Sequence, residues 1–129
     1  MPDGSSLRIM VVEDQAAMRQ LICSSLRQIG CHSVVECGDG QAALKEFSER
    51  PVQLILSDLN MPNLDGLGLL RAIRGKPGFE KTPFILLTSR AEVSIVTQAK
   101  ELKVNNYIVK PFNLVVLKNK IQAVVGTLT

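Results

Sequence analysis

Short apolar segments alternate along the chain with longer segments in which apolar residues recur every three or four positions. An apolar run bounded by turn residues is typical of a buried strand, and the spaced pattern predicts an amphipathic helix. Strands are predicted at residues 7–12, 33–36, 54–57, 83–87 and 107–109. Helices are predicted at residues 16–29, between 40 and 51, from about 65 to 75, at 92–102 and at 113–125.

The helical patterns also predict which residues face the core. Asp14 or Gln15 is predicted to begin the first helix and Gly30 to end it. In the other helices, the residues predicted to face inward are Ala43, Leu44, Phe47, Leu67, Leu70, Ile73, Val96, Ala99, Leu102, Leu114, Leu117, Ile121 and Val124. Residues 1–6 are small and polar and are predicted to form a flexible tail, so the predicted domain covers residues 7–126.

The order of elements predicts an α/β fold. Strands that are apolar throughout are covered on both faces, which indicates a parallel sheet between two helix layers. Right-handed crossovers leave few topologies, and we predict a doubly wound, flavodoxin-like sheet with five strands in the order 2-1-3-4-5. In that order the carboxyl ends of strands 1, 3, 4 and 5 surround one crevice.

Polar side chains stand where four of the predicted strands end. The first strand ends in Glu13 and Asp14, the third in Asp58, the fourth in Thr88 and the fifth in Lys110. Three carboxylates at one edge of a sheet repel one another unless they bind a cation or take up protons. Mg²⁺ prefers oxygen ligands and is commonly held by one or two carboxylates, so the sequence predicts a Mg²⁺ site there.

Asp58 is the predicted acceptor of a phosphoryl group. An aspartate can attack phosphorus to form an acyl phosphate, and phosphoryl transfer depends mainly on positioning and charge neutralisation. A cation and the Lys110 ammonium would neutralise the charge, and the Thr88 hydroxyl can donate to a phosphoryl oxygen. Asn60 is two residues past Asp58, where its backbone carbonyl could be a further metal ligand.

Composition narrows the classes of protein. The length of 129 residues, with 46% apolar and 21% charged residues, fits one folded domain. Residues 1–65 carry 5 basic and 9 acidic side chains and residues 66–129 carry 10 and 3, which predicts a cation site in one half and a face for an acidic partner in the other. The sequence lacks a membrane-length apolar run, a signal-peptide pattern and a nucleic-acid-binding motif, so we expect a cytoplasmic protein that binds neither membrane nor nucleic acid.

Four motifs in this order resemble the receiver domain of the two-component response regulators. They are VVEDQ, SDLNMPNLDG, ILLTSR and YIVKPF, with 44 residues from Asp14 to Asp58, 30 more to Thr88 and 22 more to Lys110. Within that family the chain is most similar to the single-domain chemotaxis type. The resemblance covers about residues 7 to 125, and four motifs at these intervals are far more specific than any one of them.

The resemblance implies a role for each matching residue. Asp58 is the implied phosphoacceptor, Thr88 and Tyr107 the switch residues, and Lys110 the cation that binds the phosphoryl group. The implied Mg²⁺ ligands are Glu13, Asp14, Asp58 and the backbone carbonyl of Asn60. The bond between Lys110 and Pro111 is implied to be cis. A half-buried tyrosine is also common in strands without a switching role.

The resemblance also implies partners. A histidine kinase supplies the phosphoryl group, and the surface of the fourth helix, fifth strand and fifth helix changes its affinity for an output partner. A flagellar motor switch protein is a candidate for that partner. We expect a monomer, with phosphorylation-dependent dimerisation as the alternative, and no enzyme beyond catalysis of its own phosphorylation and dephosphorylation.

The sequence departs from the family pattern before the fifth strand. The usual pair of alanine and glycine is replaced by Lys103-Val104-Asn105-Asn106, so Asn105 is predicted to take the left-handed turn. Arg90, two residues past Thr88, is predicted to flank the pocket.

Three alternatives remain at this point. An aspartyl phosphatase usually has a second aspartate two residues after the nucleophile as general acid, and this chain has Asn60 there. A flavodoxin-like cofactor binder needs a small, hydroxyl-rich loop after the first strand, whereas Glu13 and Asp14 would repel a phosphate. The third alternative is the receiver part of a larger DNA-binding regulator.

Overall fold

The computed structural model describes residues 7–89 and 93–126. The predicted tail at residues 1–6, Arg90 and the predicted start of the fourth helix at Glu92 lie outside these residues. The described strands are β1 (Arg8–Val12), β2 (Ser33–Cys37), β3 (Leu54–Asp58), β4 (Phe84–Thr88) and β5 (Asn106–Val109). The described helices are α1 (Ala16–Gln28), α2 (Gly40–Glu49), α3 (Gly66–Arg74), α4 (Val93–Glu101) and α5 (Leu114–Val125).

The strands form one parallel sheet in the order β2-β1-β3-β4-β5, which confirms the predicted topology. Side chains alternate between its faces, so Ile9 and Val11 pack on the side of α1 and α5. Met10 and Val12 pack on the other side, with residues of α2, α3 and α4. Every residue of β3 and β4 is buried, because these central strands are covered on both faces.

Local sequence determines where several helices begin and end. Asp39, Asp65 and Asn113 precede α2, α3 and α5, and each accepts a hydrogen bond from a backbone N–H three residues later. Gly30 follows α1 with φ of 97°, a conformation that glycine adopts without steric cost. Gln15 precedes α1 and makes no side-chain cap.

The predicted inward position of Leu114 is wrong. Its side chain is 38% exposed, and Val115 and Val116 beside it are exposed as well. Burial in α5 begins one turn later, at Leu117 and Ile121. The apolar period therefore continues through a first turn that is not packed on the sheet, and period alone cannot reveal where packing starts.

The predicted left-handed turn at Asn105 is also wrong. Lys103 has the positive φ, 58°. The Asn105 side chain instead accepts hydrogen bonds from the N–H of Phe84 at 2.8 Å and from Arg74 Nη2 at 3.2 Å. Asn105 is therefore used for its side-chain oxygen, which joins the start of β5 to β4.

Within the described residues, the helices are too short or too polar to cross a bilayer.

Candidate functional site

Two acidic strand ends lie side by side at the carboxyl edge of the sheet. β1 and β3 pair with Val12 opposite Ser57, so the next residues along, Glu13 and Asp58, are neighbours. The Glu13 N–H donates to the carbonyl of Cys37 on β2 at 3.0 Å. The parallel ladder thus continues to the residue that bears the carboxylate, which positions its backbone.

The next two strands bring a hydroxyl and an ammonium to the same edge. Thr88 pairs with Val109, and the N–H of Lys110 donates to the Thr88 carbonyl at 2.7 Å. The peptide bond between Lys110 and Pro111 is cis. Thr88 is buried, so both residues are held by the sheet rather than by a free loop.

Lys110 is ion-paired with both buried acids. Its Nζ lies 2.7 Å from Asp58 Oδ1 and 3.3 Å from Glu13 Oε1. The Glu13 side chain is 1% exposed, the Asp58 side chain 11% and the Lys110 side chain 16%. Side chains that are 97 residues apart in the sequence therefore meet in one largely water-excluded pocket.

The acids have the arrangement of a cation site. One carboxylate oxygen each of Glu13, Asp14 and Asp58 lies within 4.8 Å of the others. Glu13 Oε2 is buried and has no hydrogen-bond partner among the described residues. Oxygens bound directly to one Mg²⁺ lie at most about 4.2 Å apart, a spacing close to the limit within which these three oxygens lie. The donor set suits a hard cation such as Mg²⁺.

Electrostatics in the pocket disfavour an uncompensated Glu13 carboxylate. Burial, and next the negative charge of Asp58, raise the Glu13 pKa to about 7, although Lys110 acts in the opposite direction. For Lys110, burial lowers the pKa, but the hydrogen bond and charge of Asp58 and the charge of Glu13 outweigh it and raise the pKa overall. Lys110 thus stays charged, while three acids share its one positive charge.

The loop after Asp58 is held close to the site. A Cβ placed on Gly66 would lie 2.4 Å from the Asp58 carbonyl oxygen, so only glycine fits at the start of α3. Asn63, with φ of 67°, donates from Nδ2 to Asp39 Oδ2 at 3.0 Å, which ties this loop to the start of α2. Asn60 lies in the same loop with its side chain exposed.

Tyr107 lies beside an apolar cavity next to Thr88. The cavity has a volume of about 150 Å³, lies between α4 and β5, and is lined in part by Leu86, Val96 and Ala99. The half-buried Tyr107 ring also lines it. Lys120 Nζ lies 5.5 Å from the ring centroid, within the range of a cation–π contact.

Sequence reasoning missed Arg19. Its Nη1 donates to the carbonyl oxygen of Glu13 at 2.6 Å, and its Nε donates to Glu36 Oε1 at 3.3 Å. In the sequence, Arg19 and Arg27 are both basic residues on the polar side of an amphipathic helix, and nothing distinguishes them. No signal in a single sequence separates an arginine that turns back to the site from one that faces solvent.

Comparison with known proteins assigns the family. The family model for the response regulator receiver domain matches residues 9–122. The chain belongs to the response regulator receiver family. Receiver domains are signalling switches, and the Lys110–Asp58 pair with its neighbouring acids lies at the strand ends where the resemblance predicted the site of phosphorylation.

Two relatives match almost the whole chain. A probable chemotaxis protein CheY of Rhizobium etli is 37% identical over 125 residues, 97% of each chain. Chemotaxis protein CheY1 of Helicobacter pylori is 34% identical over 94% of this chain and 98% of its own.

Solved structures agree with the fold. Vibrio cholerae CheY4 superposes with a TM-score of 0.85 at 28% identity, covering 92% of this chain and 98% of its own. The receiver domain of a Pseudomonas aeruginosa sensor histidine kinase has a TM-score of 0.84 at 29% identity, covering 94% of this chain and 98% of its own. That receiver was solved with a magnesium ion coordinated in its active-site cleft.

Proposed function

We propose that residues 7–126 form a receiver domain that accepts a phosphoryl group on Asp58 from a histidine kinase or a small phosphodonor. The observation that carries the proposal is the 2.7 Å contact of Lys110 Nζ with Asp58 Oδ1 beside two further carboxylates. An aspartate next to an ammonium and a cation site has the charges that phosphoryl transfer needs.

The reaction transfers the phosphoryl group from a histidine side chain of the kinase to the Asp58 side chain. An Asp58 carboxylate oxygen bonds to phosphorus while the phosphorus–nitrogen bond of a phosphohistidine breaks, and the imidazole keeps the electron pair and takes up a proton. Glu13, Asp14, Asp58 and the Asn60 carbonyl would hold Mg²⁺, which neutralises charge on the transferring group. Lys110 neutralises a further phosphoryl oxygen. Water later attacks the acyl phosphate, releasing phosphate and restoring the carboxylate.

Phosphorylation replaces the single negative charge of the Asp58 carboxylate by the about 1.5 to 2 negative charges of a phosphoryl group, and Thr88 and Tyr107 carry the response. We propose that the Thr88 hydroxyl moves to donate to the phosphoryl group and that the Tyr107 ring turns into the space beside it. The cavity of about 150 Å³ between α4 and β5 supports this, because Thr88 and Tyr107 both line it.

The output surface is the face formed by α4, β5 and α5, and its partner is a flagellar motor switch protein. Support comes from the chemotaxis proteins that the chain matches over nearly their whole length. The basic residues of this face, among them Lys100, Lys118 and Lys120, suit an acidic partner. Phosphorylation can change partner binding only as far as the partner's affinities for the two states of the domain differ.

The first experiment tests phosphorylation itself. Acetyl phosphate and Mg²⁺ are added, and intact mass is recorded for the wild type, Asp58→Asn and Glu49→Gln, an exposed acid that controls for charge. We expect one phosphoryl adduct on the wild type and on Glu49→Gln and none on Asp58→Asn or in EDTA. An equal adduct on Asp58→Asn would exclude Asp58 as the acceptor.

The second experiment follows the switch. The chain contains one tyrosine and no tryptophan, so its tyrosine fluorescence reports on Tyr107 alone. We expect the phosphoryl analogue beryllofluoride with Mg²⁺ to change this fluorescence in the wild type but not in Asp58→Asn. Calorimetry with a purified flagellar motor switch protein then compares the two states. Equal affinity with and without the analogue would contradict a switched surface.

A further inference from the structure

Arg19 connects three parts of the structure around the acidic site. Besides its bonds to the Glu13 carbonyl at 2.6 Å and to Glu36 at 3.3 Å, its own N–H donates to the Gln15 carbonyl at 2.9 Å. A Cβ on Gly38 would lie 4.0 Å from Arg19 Nη1. The guanidinium therefore lies between α1, the end of β1 and the start of the loop that follows β2.

Among residues 7–89 and 93–126, few other hydrogen bonds hold the turn that bears Glu13 and Asp14. Gln15, the residue before α1, makes no side-chain cap, so the turn lacks the local hydrogen bond that precedes α2, α3 and α5. The Glu13 N–H is bonded to Cys37, and its carbonyl accepts from Arg19. Both backbone polar groups of Glu13 are thus bonded, one to β2 and one to α1.

We propose that Arg19 is a positioning residue for the divalent cation. It acts through the Glu13 carbonyl, holding the turn so that the carboxylates of Glu13 and Asp14 face Asp58. The inference rests on the proposed function, because the cation it serves is the Mg²⁺ of phosphoryl transfer. Arginine suits this task because its planar fork donates in two directions at once, which a lysine ammonium on a flexible chain does less well.

The loss of the Arg19 charge and the loss of its positioning bonds should change the affinity for the cation in opposite directions. Removing a positive charge close to three carboxylates should strengthen cation binding by Coulomb's law. Releasing the turn should weaken it, because the carboxylates lose their fixed geometry. The sign of the change in affinity of Arg19→Gln therefore separates the two effects.

The test measures Mn²⁺, which binds oxygen sites of this kind, by the electron paramagnetic resonance signal of the free ion. We expect Arg19→Gln to raise the dissociation constant about tenfold. The control is Arg8→Gln, which removes the same charge at the amino end of β1, where Arg8 lies 3.8 Å from Glu46. Its affinity should equal that of the wild type or exceed it slightly.

Arg19→Lys provides the second variant. It retains the charge, but one ammonium does not reproduce the pair of bonds to Glu13 and Glu36, so we expect weaker Mn²⁺ binding here as well. Wild-type or tighter binding by folded Arg19→Gln overturns the inference. If Arg19→Gln does not fold, Arg19→Lys decides: weaker binding supports positioning, and wild-type binding overturns it.

Phosphorylation by acetyl phosphate gives an independent measurement. We expect the Mg²⁺ concentration for half-maximal rate to rise about tenfold in Arg19→Gln, with the rate at saturating Mg²⁺ close to that of the wild type. If Arg19→Gln has a lower thermal stability but the same Mg²⁺ concentration for half-maximal rate as the wild type, Arg19 has only a structural role and the inference is overturned. A wild type that binds no Mn²⁺ overturns the proposed function too, whereas equal behaviour of the Arg19 and Arg8 variants overturns this inference alone.

Discussion

At the scale of single residues, Glu13 has the least favourable environment in the site. Its side chain is 1% exposed, one of its oxygens lacks a partner among the described residues, and Asp58 is a like charge beside it. A buried charge that is incompletely paired costs stability. The pocket therefore favours cation binding at the cost of stability in the absence of a cation.

Replacing Glu13 by glutamine tests this cost. In EDTA at pH 8 we expect Glu13→Gln to raise the free energy of unfolding by about 1–3 kcal/mol, because a neutral amide replaces the buried charge. Urea unfolding measures the change, and Glu49→Gln, at an exposed position, should stay within about 0.5 kcal/mol of the wild type. A less stable Glu13→Gln would show that the Lys110 pair outweighs burial.

At the scale of elements, the junctions between strands and helices determine the shape of the site. α3 starts so close to the end of β3 that a Cβ on Gly66 would lie 2.4 Å from the Asp58 carbonyl oxygen and 2.9 Å from Leu59 Cα. Both contacts are with backbone, which cannot move without shifting Asp58, the proposed phosphoacceptor. This close approach couples the position of α3 to that of Asp58.

Alanine at Gly66 should therefore be poorly tolerated. We expect Gly66→Ala to lower the free energy of unfolding by about 2 kcal/mol or more and to slow phosphorylation by acetyl phosphate. Gly75→Ala is the matched control at the other end of α3, where the nearest atom to a new Cβ is 3.5 Å away and φ is −86°. Its stability should be unchanged or slightly higher. Equal effects of the two substitutions would contradict the crowding at Gly66.

The connection between α4 and β5 allows a similar pair of substitutions. Lys103 has φ of 58°, which costs a non-glycine residue about 1 kcal/mol, so we expect Lys103→Gly to keep or raise stability. Asn105→Gly removes the acceptor for Phe84 and Arg74 and should lower the free energy of unfolding by about 1–3 kcal/mol. Urea unfolding of both variants gives the comparison. If Asn105→Gly were the more stable variant and Lys103→Gly the less stable one, Asn105 rather than Lys103 would occupy the left-handed turn.

At the scale of the whole molecule, two apolar clusters cover the faces of the sheet and enclose the thiols. Cys23 and Cys31 lie in the cluster beside α1 and α5, and Cys37 in the cluster beside α2, α3 and α4. All three are free and buried. Burial, with the nearby carboxylates of Glu46 and Asp39, raises the Cys37 pKa to about 11.

Thiol reactivity should consequently report on unfolding of the whole domain. Because the thiolate is the reactive form and burial raises the pKa of all three thiols, we expect slow reaction with Ellman's reagent at pH 8 in the native state. All three should react rapidly in guanidinium chloride. The native rate should rise with added urea in parallel with the unfolded fraction. Rapid native reaction of one thiol would contradict its burial.

The sequence by itself determined the elements and the residues at the strand ends. Apolar period, turn residues and caps such as Asp65 and Asn113 act within a few positions, so a single chain displays them directly. Parallel strands with right-handed crossovers then bring Asp58 and Lys110 to one edge. The location of the pocket could therefore be predicted without side-chain coordinates.

The tertiary structure alone decided how each side chain is used. Arg19 turning back to the Glu13 carbonyl, Leu114 left exposed, and Lys103 rather than Asn105 in the left-handed turn all depend on which residues from distant segments pack nearby. The raised Glu13 pKa depends on burial and on Asp58 in the same way. Sequence patterns encode local preference, whereas burial, distance and charge at a site are properties of the assembled chain.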